Sequence, residues 1–447
     1  MWNLVCSRIP RSHELARSDV CRGGSGIAAI VFLATSGVAQ AWNTQEYSLT
    51  DLVGLGGSST LAQGINDHGE IVGLSYPPGN GNFHAFSYSN GSIRDLGTLG
   101  GPYSAAFAIN STGQITGSAA LAGDVQKHLF LYGNGSMQDL GSLGGYLTIG
   151  QAINSLAHMT GYSFTTDNSR YHAFLYANGA MRDIGTLGGS DSVGNGINRR
   201  GEITGASSLP GDNQGHAFLY RDGSMQDLGT FGGAFSGGDA INARGQITGH
   251  AERPDYATHA FLYVDGNLQD LGTLGGADSS GEAINSCGDV TGWAYTAGGV
   301  QHAALWSEGM VFDLNALDGS GPLAQSVALD DAPAINDKGW IVANVRDYSV
   351  GETHAYLLKP PSAEVLFEAL KKTVAGVDRA KQLELRISEA MADYQAQDIA
   401  RARSVMTLFR REVHAQSGKG IDPKIANELI TDSVRVGLSM GCAPERD

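Results

Sequence analysis

The sequence predicts a mainly β fold: a seven-bladed β-propeller of four-stranded repeats, 43–44 residues each, closed by the N-terminal strand and followed by a small C-terminal α-helical domain. Three observations predict it. One phrase recurs at a fixed period, the chain reverses direction at fixed places within each period, and the first and last segments complement each other in register.

The phrase begins at Asp51, Asp95, Asp139, Asp183, Asp227, Asp270 and Asp313, and reads "DLVGLGG", "DLGTLGG", "DLGSLGG", "DIGTLGG", "DLGTFGG", "DLGTLGG" and a degenerate "DLNALDG". Successive spacings of 44, 44, 44, 44, 43 and 43 mark a repeat architecture. Gly accounts for 63 of 447 residues without an every-third spacing, which calls for many tight turns rather than a collagen-like chain.

Each unit reads as four short strands, A to D. In residues 95–138, "SAAFAIN" (A) leads through Asn110 and Gly113 to "QITGSA" (B), then "HLFLY" (C) leads through Asn134-Gly135 to "GSMQDL" (D). The A–B frame recurs as Asn66/Gly69, Asn198/Gly201, Asn242/Gly245, Asn285/Gly288 and Asn336/Gly339, while the third unit carries Ala157 in the Gly position. The C–D connection is Asn90-Gly91, Asn134-Gly135, Asn178-Gly179, Asp222-Gly223 or Asp265-Gly266. These dipeptides signal hairpins, because both central residues of a type I′ turn need positive φ.

In "HAFLY" the His, Phe and Tyr face one side and the Ala and Leu the other, so the strand is apolar on both faces and needs cover on both. Sheets stacked around an axis supply it. A parallel solenoid with 22-residue coils shares the half-period, but it turns corners without the tight reversals seen here. Phase completes the argument. "QEYSLTDL" (45–52) is a D strand without its own A, B and C, and the last unit has A, B and C, ending in "HAYLLK", without a D. Pairing the two hides an open sheet edge.

The motifs "HAF-LY", "G-M-DLGTLGG" and "A-IN--G-ITG" across residues 45–358 resemble a bacterial extracellular repeat family named for its HAF tripeptide. The resemblance implies an exported repeat protein. After Pro361 the composition turns to Ala, Glu, Lys, Arg and Leu, and the spacing predicts helices near 363–375, 378–395, 397–416 and 423–440. The stretch "LFRREVHAQSGKGIDPKIANELI" resembles FIMAH, a small helical domain at the C-termini of secreted bacterial proteins.

Residues 1–41 read as a signal peptide, with the apolar run "GIAAIVFLATSGVAQA" (26–41) ending in Ala39-Gln40-Ala41. The run is too short for a membrane span of ~20 residues. The leading "MWNLVCSRIPRSHELARSD" resembles the extended signal region of exported Gram-negative proteins. The expected domains are therefore a signal peptide at 1–41, a propeller at 42–360 and a helical domain at 361–447, placed outside the cell, on its surface or in the periplasm. The mature chain then has no transmembrane span. Cleavage leaves Cys287 and Cys442, whose pairing the sequence leaves open, and moves the formal charge from −16 to −18 by removing four Arg and two acidic residues. Such a surface, with no basic stripe, excludes nucleic acid as a partner.

The His at the head of each C strand (His84, His128, His172, His216, His259, His302 and His354) and the repeated Asp residues read as scaffold, since an active site is made once. The Asp residues are expected to cap the D–A turns. No His-Glu-x-x-His, Cys-x-x-Cys pair, EF-hand loop, nucleophile elbow or phosphate loop is present, so no metal, cofactor or catalytic residue is expected. The B–C loops differ most between units, and loops on a rigid scaffold carry recognition. They and the residues beside them supply Tyr162, Asp167, Tyr171, Arg253, Asp255, Tyr256, Trp293, Tyr295, Arg346, Asp347 and Tyr348 as ligand-binding candidates on one rim. Aromatics beside polar groups suit a glycan or an envelope protein. The expectation is an exported, non-catalytic binding propeller; the alternative is a propeller hydrolase or lyase acting on polysaccharide, marked by carboxylates in the central channel.

Overall fold

The computed structural model describes residues 47–316, 328–347, 351–377 and 380–443. The expected signal peptide at 1–41 and Tyr348 lie outside the described residues. The chain is mainly β. Five antiparallel sheets have four strands each, and one of eight strands is two such sets joined by a single parallel pair, Leu147 with Lys127.

The turn chemistry operates as the dipeptides predict. Asn90, Asn134, Asn178, Asp222 and Asp265 have φ between 49° and 53°, and the Gly after each lies between 80° and 85°. Glu308-Gly309 takes the same shape in the sixth unit, with φ of 51° and 80°. At the third A–B turn Ala157 accepts φ of 59° where the other units use Gly, a strained choice for a residue with a Cβ.

Each A–B turn is organised by its Asn. Asn110 Oδ1 accepts from the backbone N–H of Thr112 and Gln114, and Asn110 Nδ2 donates 3.0 Å to the carbonyl of Asn154, the equivalent residue one unit on. The same cross-unit bond runs from Asn66 to Asn110, Asn154 to Asn198, Asn198 to Asn242 and Asn242 to Asn285. Asn336 then donates 3.0 Å to the carbonyl of Asn66, 270 residues earlier. Between the sixth unit and the last, Ser286 bridges instead, with its N–H and Oγ both donating to the Asp337 carboxylate at 2.8 and 2.7 Å.

The A strands of successive units neighbour one another, and the last A strand, Leu329–Ile335, neighbours the first, Thr60–Ile65. Phe86, Phe130, Phe174, Phe218 and Phe261 from the C strands are fully buried between units. Burying each contributes roughly 1.5–3 kcal/mol. Phe86 shares its core with Ala62 and Ile71 of the first unit and with Val342, Ala355 and Leu357 of the last.

The N-terminal strand Ser48–Asp51 pairs antiparallel with the last C strand, Ser48 opposite Lys359 and Asp51 opposite Tyr356. It supplies the fourth strand of that sheet, as the register of the repeats predicts.

Four helices follow, α1 (Ala363–Val374), α2 (Ala380–Gln395), α3 (Ile399–Gln416) and α4 (Pro423–Met440). Asp422 caps α4 by accepting from Lys424 N–H, with Pro423 opening the helix. Phe367, Leu370, Ile387, Met406, Phe409 and Leu429 form their core. The other side of α4 sends Val434 and Leu438 into the core of the last sheet, beside Tyr47 and Leu49. Arg410 meets Glu308 at 2.9 Å, Arg403 meets buried Asp289 at 3.5 Å, and Cys442 is disulfide-bonded to Cys287 in the sixth A–B turn. The helices therefore dock on the edge that carries the A–B and C–D turns. Among the described residues no helix is long and apolar enough to cross a membrane.

Candidate functional site

The repeated His and Asp residues hold each other. His84, His128, His172, His216, His259 and His302 place Nδ1 between 2.6 and 2.9 Å from the carboxylates of Asp95, Asp139, Asp183, Asp227, Asp270 and Asp313. The same carboxylates accept the N–H two residues on, as Asp183 does from Gly185 at 2.7 Å, which caps the D–A turn. In the last sheet His354 turns instead toward Glu352, at 3.9 Å.

Because the four strands alternate in direction, the B–C loops and the D–A connections share the edge opposite the helices. Most large apolar side chains that stand exposed in the strand region lie here: Val53, Val125, Tyr146, Phe235, Tyr256 and Val300, against Leu156 on the other edge. Tyr256, 78% exposed with φ of 67°, is the most open.

The expected site residues fall into three groups. Tyr171, Tyr295 and Tyr256 reach this edge. Tyr162 and Trp293 are only 5% exposed and so form no open surface; Tyr162 packs on Tyr171 at 5.6 Å and Trp293 on Tyr295 at 5.7 Å. Burial pushes the Tyr162 hydroxyl up to about 12. The charged residues are mostly engaged locally. Asp167 accepts from Ser169 and Thr165 within its own turn, which holds its carboxyl down at about 2. Arg253 lies 3.2 Å from Asp270 and 3.5 Å from Asp255, and Arg346 is exposed with its N–H donated to Asp330. Asp347 ends the strand Ile341–Asp347.

Five aromatics that the sequence reading passed over complete the edge. Tyr76 meets Phe83 at 6.2 Å, Phe83 meets Tyr103 at 5.4 Å, Tyr146 meets Phe164 at 4.7 Å, and Phe164 meets Tyr171 at 5.5 Å. Lys127 joins the two runs, with Nζ 5.2 Å from the Tyr103 ring centroid and its backbone paired with Leu147, next to Tyr146. A signal existed: "GGPYS" and "GGYLT" carry Tyr where "GGSST", "GGSDS" and "GGADS" carry small or polar residues.

Nearer the axis, Asp239 and Glu282 occupy the residue that A–B pairing skips in the fifth and sixth units. Asp239 Oδ2 lies 2.9 Å from Nδ1 of His250, a histidine outside the repeat pattern that lies over Gly237, where a Cβ would come within 2.8 Å of the ring. In the last unit Asp331 is half-buried, and among the described residues its buried Oδ1 has no hydrogen-bond partner. Burial, with the neighbouring Asp330 charge, raises its pKa. Among the described residues one trio, Cys287, Asp289 and Cys442, has metal-ligand proximity, and its two sulfurs are bonded to each other.

No family model and no curated protein matches the chain. Solved structures similar to it include TolB from Acinetobacter baumannii, 11% identical over 71% of this chain and 97% of that one with a TM-score of 0.37. A point mutant of the Aleuria aurantia lectin, in complex with Fucα1-6GlcNAc, is 11% identical over 57% of this chain and 98% of that one, with a TM-score of 0.35. A prolyl endopeptidase is 10% identical over 69% of this chain and 51% of that one, with a TM-score of 0.45.

Proposed function

We propose that this chain is an exported, non-catalytic seven-bladed propeller, closed by its N-terminal strand, that binds a glycan or an envelope protein on the edge opposite its helices. The observation that carries the binding reading is the gathering of exposed apolar and aromatic side chains on that one edge. Closure is supported by the pairing of Ser48–Asp51 with the last sheet, by the Asn336–Asn66 bond, and by reciprocal bonds between the Asn344 amide and the Ala62 backbone at 3.0 and 3.1 Å. The resemblance to HAF repeats and FIMAH, and the signal peptide, belong to the same proposal; N-terminal sequencing of exported protein tests the last, with Trp42 expected first.

Binding is tested by probing a glycan array and envelope extracts with residues 42–447, then repeating with Tyr146→Ala and Tyr256→Ala. Loss of binding in these variants, at unchanged melting temperature, is expected. Absence of any ligand, or binding indifferent to both substitutions, overturns the reading.

One observation favours the hydrolase or lyase alternative: among the described residues the Asp239–His250 pair occurs once, although the strand irregularity that carries Asp239 recurs in the other units. Polysaccharide breakdown by the wild type that Asp239→Asn abolishes would replace the non-catalytic reading.

A further inference from the structure

We infer that the ligand of this edge is an acidic glycan, a chain of uronate-bearing sugars lying along the aromatic strip of the first three units with its carboxylate on Lys127. The inference rests on the proposed glycan-binding reading and names the class of glycan.

Lys127 opens the second C strand at a position filled by Phe83, Tyr171, Gly215, Thr258, Gln301 and Thr353 in the other units. It is the one cation at that position. Among the described residues it has no carboxylate partner, and its ammonium rests over the Tyr103 ring. On a chain with formal charge −16, an ammonium without a counter-ion in the middle of an aromatic strip leaves a local site for an anion. The ring beneath it limits its rotamers, so less freedom is lost when an anion is bound.

The geometry on either side suits pyranose rings. Tyr103 and Phe83 lie on one flank, while Tyr146, 44% exposed, and Phe164 lie on the other. The apolar face of a sugar ring can cover an aromatic there while its carboxylate accepts a charge-assisted bond from Nζ. Arg170, beside Tyr171 and half exposed, is ion-paired with Asp212 at 3.9 Å, which leaves Lys127 to carry the anion. A neutral glycan would gain the stacking but leave Lys127 without an anion. The negative surface elsewhere disfavours anions that lack the ring contacts.

The experiment is titration calorimetry of residues 42–447 at low salt with an oligouronate and with the same oligosaccharide after reduction of its carboxyl groups. The oligouronate is expected to bind at least about tenfold tighter, with the ratio falling as salt is raised. Lys127→Gln is expected to remove the ratio and Lys127→Arg to keep most of it, with melting temperatures showing both variants folded. Equal affinity for the two chains, still dependent on Tyr146, overturns this inference and leaves the glycan-binding reading standing. A preference that survives Lys127→Gln also overturns it. Binding of neither chain, with a neutral glycan recovered from the array, overturns it as well, and no glycan binding at all overturns both.

Discussion

Reducing the Cys287–Cys442 disulfide should cost the folded chain about 5 kcal/mol at most. The bond joins residues 155 apart, so in the chain-entropy treatment it removes about 17 cal/mol/K from the unfolded ensemble. That ensemble is the one in which the last sheet and all four helices would otherwise wander free of the sixth unit. With an unfolding entropy near 2.1 cal/mol/K per residue over roughly 400 residues, the loss lowers the melting temperature by about 6 °C if the chain melts as one unit. Scanning calorimetry of oxidised protein, reduced protein and the Cys287→Ser/Cys442→Ser variant measures it. A larger drop confined to a separate, earlier transition would mean that the helices leave the strand region first, since Arg403–Asp289, Arg410–Glu308 and the burial of Val434 and Leu438 then act without the covalent link. Identical traces for the three samples would refute the reasoning, because a bond that closes so long a loop cannot be silent unless the unfolded chain holds its ends together by other means.

Three further outcomes are expected. Thr50→Pro removes a ladder N–H opposite Leu357, in the same hydrogen-bonding phase as Leu52, whose N–H donates to Ala355; amide exchange should accelerate in 353–359 and spare the third unit. Asn336→Ala leaves two turn N–H groups without partners and takes from the Asn66 carbonyl one of its two donors, the other being Gly69 N–H, and should cost about 2–3 kcal/mol in urea unfolding, as Asn110→Ala should between the second and third units. Asp432 has its pKa raised to about 6 by burial and by the nearby Glu428 charge, although Arg435 lies 2.9 Å away. Burial lowers the Arg435 pKa to about 10, so desolvation outweighs their attraction. Because the folded pKa exceeds the unfolded value near 3.9, this site's contribution is full below pH ~4 and lost as pH rises through 6. Wild type should therefore gain about 1–3 kcal/mol relative to Asp432→Asn between pH 7 and pH 4, measured as the difference between their unfolding curves.

Much of this fold is legible in the sequence because its determinants are local. Asn-Gly dictates φ at two residues, the period sets the number of units, and the orphan D strand at 45–52 matches the missing one at the end. The helices were equally readable from Asp422-Pro423 and the spacing of Leu383, Ile387 and Met391. The site was less legible. Tyr162 and Trp293 sit one residue after the Gly of strand B, and that position points at the next unit: Ser118 donates from it to the Thr148 carbonyl and Asn344 bonds Ala62. Tyr103 and Tyr146 were overlooked because they follow the Gly-Gly pair, in a segment that reads as a turn but is the start of strand A. The docking of α4, and with it the pairing of the two cysteines, depends on contacts between residues more than a hundred positions apart, for which no local pattern exists.

The repeated residues also show why recognition has to come from the departures. Each histidine of the ladder gives Nδ1 to an aspartate, each of those aspartates accepts a turn N–H, and the turn Asn of every unit but the sixth is divided between its own turn and the next unit's carbonyl. These groups are engaged in holding the sheets in register, and a ligand that competed for them would loosen the scaffold that positions it. The edge bearing the A–B turns is partly covered by the helices and fastened there through Cys442. What remains both open and chemically varied is the opposite edge, where Lys127 stands in place of Phe, Tyr, Gly, Thr or Gln, between the aromatic run of the first two units and that of the third. A scaffold that satisfies its own polar groups so fully can change those few residues at little cost to stability, so a binding specificity written there can vary while the fold stays the same.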